Sequence, residues 1–101
     1  MKESKIDFSK YKDTLLKVTK VEDRRFNMQH PNGQNVGDEI TGVLHLSNSN
    51  AYQSLFLIKD TTLYWHTSQV LSIEERENYD LVKTLNSTYK VEPQVISLLN
   101  V

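Results

Sequence analysis

The sequence predicts an all-β fold: a small, strongly curved antiparallel sheet or barrel of five to seven strands, with an N-terminal arm and a short apolar C-terminal tail. Three observations carry this expectation. From Ser54 to Val91 apolar residues recur at strand spacing between short polar breaks, most clearly where Leu63, Trp65 and Thr67 alternate with Tyr64 and His66. The stretch is rich in Val, Ile, Thr and aromatic residues, whose stiff or flat side chains suit a pleated surface. It also contains neither Gly nor Pro, so nothing in it forces a break in the backbone.

A chain of 101 residues makes one domain with a modest core. We divide it into an arm over 1–13, a sheet or barrel over 14–92 and a tail over 93–101. The arm alternates charged residues and Ser around Ile6, Phe8 and Tyr11. Such a segment packs its rings on the body as an arm or a single helical turn and leaves its lysines wet. From Thr14 to Val21 the alternation of Leu16 and Val18 with Lys17 and Thr19 predicts a first strand. The pair Lys20–Val21 breaks the alternation, and a bulge there would turn Val21 inward. A polar run from Asn27 to Asp38 follows, containing His30-Pro31-Asn32-Gly33, a strong turn signal.

Glu39 to Leu46 predicts a second strand with Ile40, Leu44 and Leu46 inward and Thr41, Val43 and His45 outward. Gly42 falls among the inward positions, which marks strong curvature or the close approach of a bulky neighbour such as Trp65. Ser47 to Asn50 reads as a turn and Ala51 to Ile58 as a strand, paired through a hairpin with the strand containing Tyr64, Trp65 and His66. Gln69 to Ile73 continues as a strand with Val70 inward. The acidic tip Glu74 to Asp80 leads to Leu81–Val91, which Asn86-Ser87 bends or ends. Glu92-Pro93 closes the sheet, because proline cannot join a central ladder. The predicted core includes Leu44, Leu46, Leu63, Trp65 and Val70. The apolar tail would pack on the body or on a partner.

Apolar residues at 38% and charged residues at 25% describe a globular chain. No run approaches the roughly 20 apolar residues of a membrane-spanning helix, and the first residues lack a secretory apolar region. With no cysteine there is no disulfide or thiolate chemistry, which fits a reducing compartment. The expectation is a cytoplasmic protein without membrane contact. Net charge is −1, but residues 1–25 hold eight of the twelve bases against five acids, and the remainder holds four bases against eight acids.

The three histidines, at 30, 45 and 66, show no metal-ligand spacing, although His45 and His66 could meet across a sheet. Neither an activated nucleophile signature nor a phosphate-binding glycine loop is present. We therefore expect no enzyme activity, no cofactor and no metal. Two binding sets remain. Lys17, Arg24, Arg25, Phe26 and His30, with Tyr64 and His66, offer the bases and flat rings with which small barrels hold single-stranded nucleic acid. Glu74, Glu75, Glu77, Tyr79 and Asp80 offer a carboxylate tip with an aromatic anchor that a basic protein groove would attract. Edge strands can also recruit a partner or a second copy, which leaves homo-oligomers open.

The segments HTSQVLSI and VKTLNSTYKV, within residues 66–91, carry a T-S-x-V and T-x-N-S-x-Y pattern. This hairpin resembles that of small accessory proteins of phages and mobile elements. The resemblance implies a non-enzymatic interaction module in a bacterial cytoplasm, one that binds and inhibits a host nucleic-acid enzyme such as a CRISPR effector. It transfers no site residue. The competing expectation is a small barrel that binds nucleic acid directly.

Overall fold

A computed structural model describes residues 5–24, 35–59 and 64–94. These form a seven-stranded antiparallel sheet and one α-helix. In chain order the elements are a 3-10 turn, Ser9–Tyr11, then β1 Leu15–Asp23, β2 Glu39–Leu44, α1 Leu46–Tyr52, β3 Phe56–Ile58, β4 Tyr64–His66, β5 Val70–Glu75, β6 Asp80–Thr84 and β7 Ser87–Pro93. Across the sheet the order is β4-β3-β2-β1-β7-β6-β5. Among the described residues no helix is long and apolar enough to cross a membrane.

The ladder does not close into a barrel among the described residues, yet its two edge strands are consecutive in sequence. A flat sheet of seven strands would separate its edges by roughly 29 Å, at about 4.8 Å per strand. The link from His66 to Val70 reaches at most about 15 Å. The sheet must therefore bend round on itself, with Thr67, Ser68 and Gln69 as the corner. Thr67 N–H donates to Leu55 O (3.1 Å), Val70 N–H to Gln53 O (2.6 Å) and Leu85 N–H to Gln69 O (3.0 Å), so the corner bonds to both limbs of the sheet. Ser68 Oγ adds a bond to Thr84 Oγ1 at 2.8 Å.

The concave face buries Leu16, Val18, Leu44, Leu57, Val70, Val82, Tyr89 and Val91, one from every second position of their strands. Trp65 and Leu46 pack against this core while half-buried, and Trp65 meets Tyr89 edge-to-face at 5.5 Å. Leu63 lies outside the described residues. The arm closes one end: Phe8 and Tyr11 are fully buried in the same cluster. Its backbone is fixed to the helix region, since Ile6 N–H donates to Gln53 Oε1 (2.8 Å) and Phe8 N–H to Asn50 Oδ1 (3.1 Å).

Four local readings are corrected. The Ser47–Asn50 turn is the body of α1, whose N-terminus is capped by His45 Nδ1 accepting from Asn48 N–H (3.2 Å). Its polar residues are poor helix formers, but Asn50 is bonded to the arm and Ser49 Oγ, buried, accepts from Phe56 N–H (3.1 Å). The strand read over 51–58 therefore shrinks to Phe56–Ile58, after Gln53 ends the helix in a left-handed conformation. The bulge at Lys20–Glu22 exists, but it leaves Val21 43% exposed and turns Lys20 inward, 1% exposed, with its ammonium on Asp23 at 2.8 Å. Gly42 is buried as expected, but what approaches it is the β3 backbone, not Trp65: an added Cβ would lie 2.8 Å from Ile58 O.

Candidate functional site

Strand alternation places the site. Leu57 and Trp65 point to the core, so their neighbours Phe56, Ile58, Tyr64 and His66 must face outward. Register then aligns them, Phe56 opposite His66 and Ile58 opposite Tyr64, with Val43 continuing the second row onto β2. From the other side α1 brings Tyr52 over Phe56.

The result is a cluster of rings centred on Phe56. His66 stacks on it at 5.4 Å with 7° between planes, Tyr64 lies at 5.5 Å and Tyr52 at 6.2 Å, and His45 meets it edge-on at 6.2 Å. Tyr52 and Tyr64 remain 66% and 65% exposed. These rings line an open groove of about 760 Å³, floored by Ile58 and rimmed by Asn48, Ser54, Ser68 and Gln69. Among the described residues no Asp, Glu, Lys or Arg lines it.

Hydrogen bonds assign the two imidazoles opposite tautomers in their neutral forms. His45 accepts at Nδ1 from a backbone N–H, which leaves its proton on Nε2. His66 Nδ1 sits 3.1 Å from Thr67 O, a pure acceptor, and so carries the proton there. One ring thus offers a donor at Nε2 and the other an acceptor. His45 and His66 do meet at one site, but around a phenyl ring; among the described residues no three His, Asp or Glu side chains converge as metal ligands.

The basic set does not assemble. Arg24 is a clamp on the β6–β7 turn: its guanidinium donates to Thr84 O, to Ser87 O (2.7 Å) and to Thr88 Oγ1 (2.9 Å), and pairs with Glu22 at 2.8 Å. Lys17 faces outward on β1 and pairs with Glu39 at 3.3 Å. Arg25, Phe26 and His30 lie outside the described residues. Tyr64 and His66 join a site from which both Lys17 and Arg24 are absent.

The acidic set divides. Glu74, Glu75 and Glu77 are exposed at the β5–β6 hairpin, but Arg76 meets Glu74 at 2.9 Å and Lys10 approaches Glu75 at 3.7 Å. Tyr79 is half-buried beneath the Lys90 ammonium, 4.9 Å from its ring centre. Asp80 is withdrawn from the tip altogether. Only 7% exposed, it accepts the Tyr11 hydroxyl and pairs with Lys10 at 2.9 Å. Burial, and then the bond to this carboxylate, hold the Tyr11 phenol far above its ordinary pKa.

The groove residues that sequence reading missed are Phe56 and Tyr52, while His45 was read only as a possible neighbour of His66. The signal for Phe56 was parity, since it alternates with the inward Leu57; Tyr52 ends α1, where strand parity does not apply. Comparison with protein-family models, with curated proteins and with solved structures gave no match.

Proposed function

We propose that this chain is a non-enzymatic interaction module whose contact surface for a protein partner is the aromatic groove. The carrying observation is the five-ring cluster about Phe56, with two tyrosines about two-thirds exposed and an uncharged lining. Aromatic residues dominate interface energetics because they bury large area with few rotors, and charges are depleted at interface centres. The hairpin resemblance supports a setting in which the partner is a host nucleic-acid enzyme of a phage or mobile element's bacterium. The exposed Glu74, Glu75 and Glu77, which lie outside the groove lining, would then steer association at longer range while the groove supplies affinity.

The stacked rings also favour a second reading, direct binding of single-stranded nucleic acid. It is the weaker one, because phosphate binding needs cations, none of the described lining residues is one, and Lys17 and Arg24 are held in ion pairs.

The test is affinity capture from a bacterial lysate followed by binding of the purified partner, for the parent, Tyr52→Ser/Tyr64→Ser and Glu74→Gln/Glu75→Gln/Glu77→Gln. The tyrosine variant should lose at least tenfold in affinity, and the tip variant should lose on-rate and salt sensitivity only. A partner that binds the tyrosine variant as well as the parent overturns the assignment. Anisotropy of labelled single-stranded DNA and RNA at two salt concentrations decides the second reading, and salt-sensitive binding that the tyrosine variant loses would establish it.

A further inference from the structure

The two edges of the sheet are built differently, and the difference bears on what the groove receives. An open edge strand invites another strand to pair, and proteins guard such edges with bulges and charges. Edge β5 is guarded: its pairing with β6 slips between Val70 and Ser72, and it ends in Glu74 and Glu75. Edge β4 reads Tyr64-Trp65-His66, without proline, lysine or carboxylate, and its register with β3 is unbroken. Among the described residues no strand pairs with its outer side.

The direction of its backbone groups follows from bonds at either end of β3. His45 N–H donates to Phe56 O (2.7 Å), so Phe56 bonds toward β2. Thr67 N–H donates to Leu55 O, so Leu55 bonds toward the β4 side. In an antiparallel ladder each residue's N–H and C=O point the same way, and successive residues alternate. Leu57 and Trp65 therefore bond to each other, and the N–H and C=O of both Tyr64 and His66 point away from the sheet. The two residues of β4 whose rings line the groove are the same two whose main chain faces the open edge.

From this coincidence we propose that the site receives an uncharged extended segment of a partner protein, added as a strand along β4, with an aromatic or branched apolar side chain seated against Phe56, Tyr64 and His66. The proposal rests on the groove being a protein contact and names the form of that contact. A three-residue edge offers few main-chain bonds, so the groove must supply much of the affinity, hence an occupant with a large apolar side chain. Among the described residues the lining carries no formal charge, and a charged side chain entering it would lose hydration with no counter-charge from them to meet. An occupant's neighbouring side chains would turn to the face on which Trp65 lies, the side of the core.

A matched pair of variants isolates the main-chain part. His66→Ala removes the ring and keeps the outward N–H. His66→Pro removes both, and because this N–H serves no ladder bond, proline is tolerated there. The probe is a displayed library of random seven-residue peptides selected on the parent protein, with the enriched peptide then synthesised with and without N-methyl groups at alternate amides. Enriched sequences should be free of charge at alternate positions occupied by aromatic or β-branched residues. Affinity should fall at least tenfold further in His66→Pro than in His66→Ala, and N-methylation in one of the two phases should abolish binding. Circular dichroism confirms that both variants fold. Equal affinity for the two variants, enrichment of charged peptides, or no enrichment at all overturns strand addition. If peptide binding is lost in Tyr52→Ser/Tyr64→Ser while the His66 pair is indistinguishable, the groove remains the contact surface and only the strand geometry falls.

Discussion

Gly42→Ala should destabilise the protein by about 2 kcal/mol, a figure that follows from two opposing effects. The backbone at Gly42 does not have positive φ, so alanine can adopt it and gains about 0.4–1 kcal/mol through a less flexible unfolded chain. Against this, the new Cβ would sit 2.8 Å from Ile58 O, 3.2 Å from Ile58 C and 3.2 Å from Leu57 Cβ. Two of these three atoms are backbone, so no rotamer change relieves them, and the cost belongs at the upper end of the usual 1–3 kcal/mol for overpacking. In a domain of this size about 2 kcal/mol lowers Tm by roughly 8–16 °C. Urea unfolding followed by fluorescence of Trp65, the only tryptophan, reads the change directly. The strand that must yield is β3, which carries Phe56, so affinity for any groove ligand should fall with stability. A variant within 0.5 kcal/mol of the parent would mean that β2 and β3 do not approach as closely as described, and the argument for a curved sheet here would fail.

Tyr11→Phe should cost about 1.5–3 kcal/mol, because it deprives a buried carboxylate of a donor while Lys10 keeps its place. The phenol's raised pKa also sets a pH dependence: unfolded tyrosine releases its proton near pH 10 and the folded one does not, so this stability is complete below about pH 10 and falls by about 1.4 kcal/mol per unit above it. Subtracting the alkaline melting curve of Tyr11→Phe from that of the parent isolates this slope, and identical slopes would refute it. Arg24→Ala should destabilise by about 1–2 kcal/mol through the freed β6–β7 turn, and Arg24→Lys should recover little, since one ammonium cannot reproduce the planar fork; full recovery by lysine in chemical denaturation would contradict the clamp. Glu74→Gln/Glu75→Gln/Glu77→Gln should change stability by less than about 0.5 kcal/mol, and a larger loss would show that the Lys10 and Arg76 pairs are structural.

What was legible in the sequence is what depends on neighbours along the chain. Alternation alone orients Leu16, Val18, Leu44, Val70 and Trp65 inward and Tyr64, His66 and His45 outward, and turn chemistry marks where β6 gives way to β7. Features that depend on distant partners were not legible. The residues of α1 look like a turn because the groups that hold them as a helix, Ile6 and Phe8 of the arm, lie more than 40 positions away. Asp80 looks like one more acid of a solvated tip until Tyr11, 69 residues earlier, is seen to reach it. Lys20 breaks a pattern that one bulge re-phases, so the buried position goes to the residue that polarity excludes. Arg24 does not read as a clamp because two of its acceptors, Thr84 O and Ser87 O, are backbone carbonyls some 60 positions away, and backbone oxygens leave no trace in a sequence.

The strand order has a consequence for how the molecule is made. Its middle is the pairing of β1 with β7, residues 15–23 against 87–93, so the centre of the sheet is assembled from opposite ends of the chain. On a ribosome the β2, β3 and β4 limb and the β5–β6 hairpin can each form as they emerge, whereas β1 must keep one side vacant until residues 87–93 have been synthesised. Long-range pairing of this kind slows folding, because chain entropy is lost before the contacts reward it. A nascent chain halted before β7 would expose the inner faces of Leu16 and Val18 beside the vacant edge of β1, and aggregation of such truncated chains is the failure to expect.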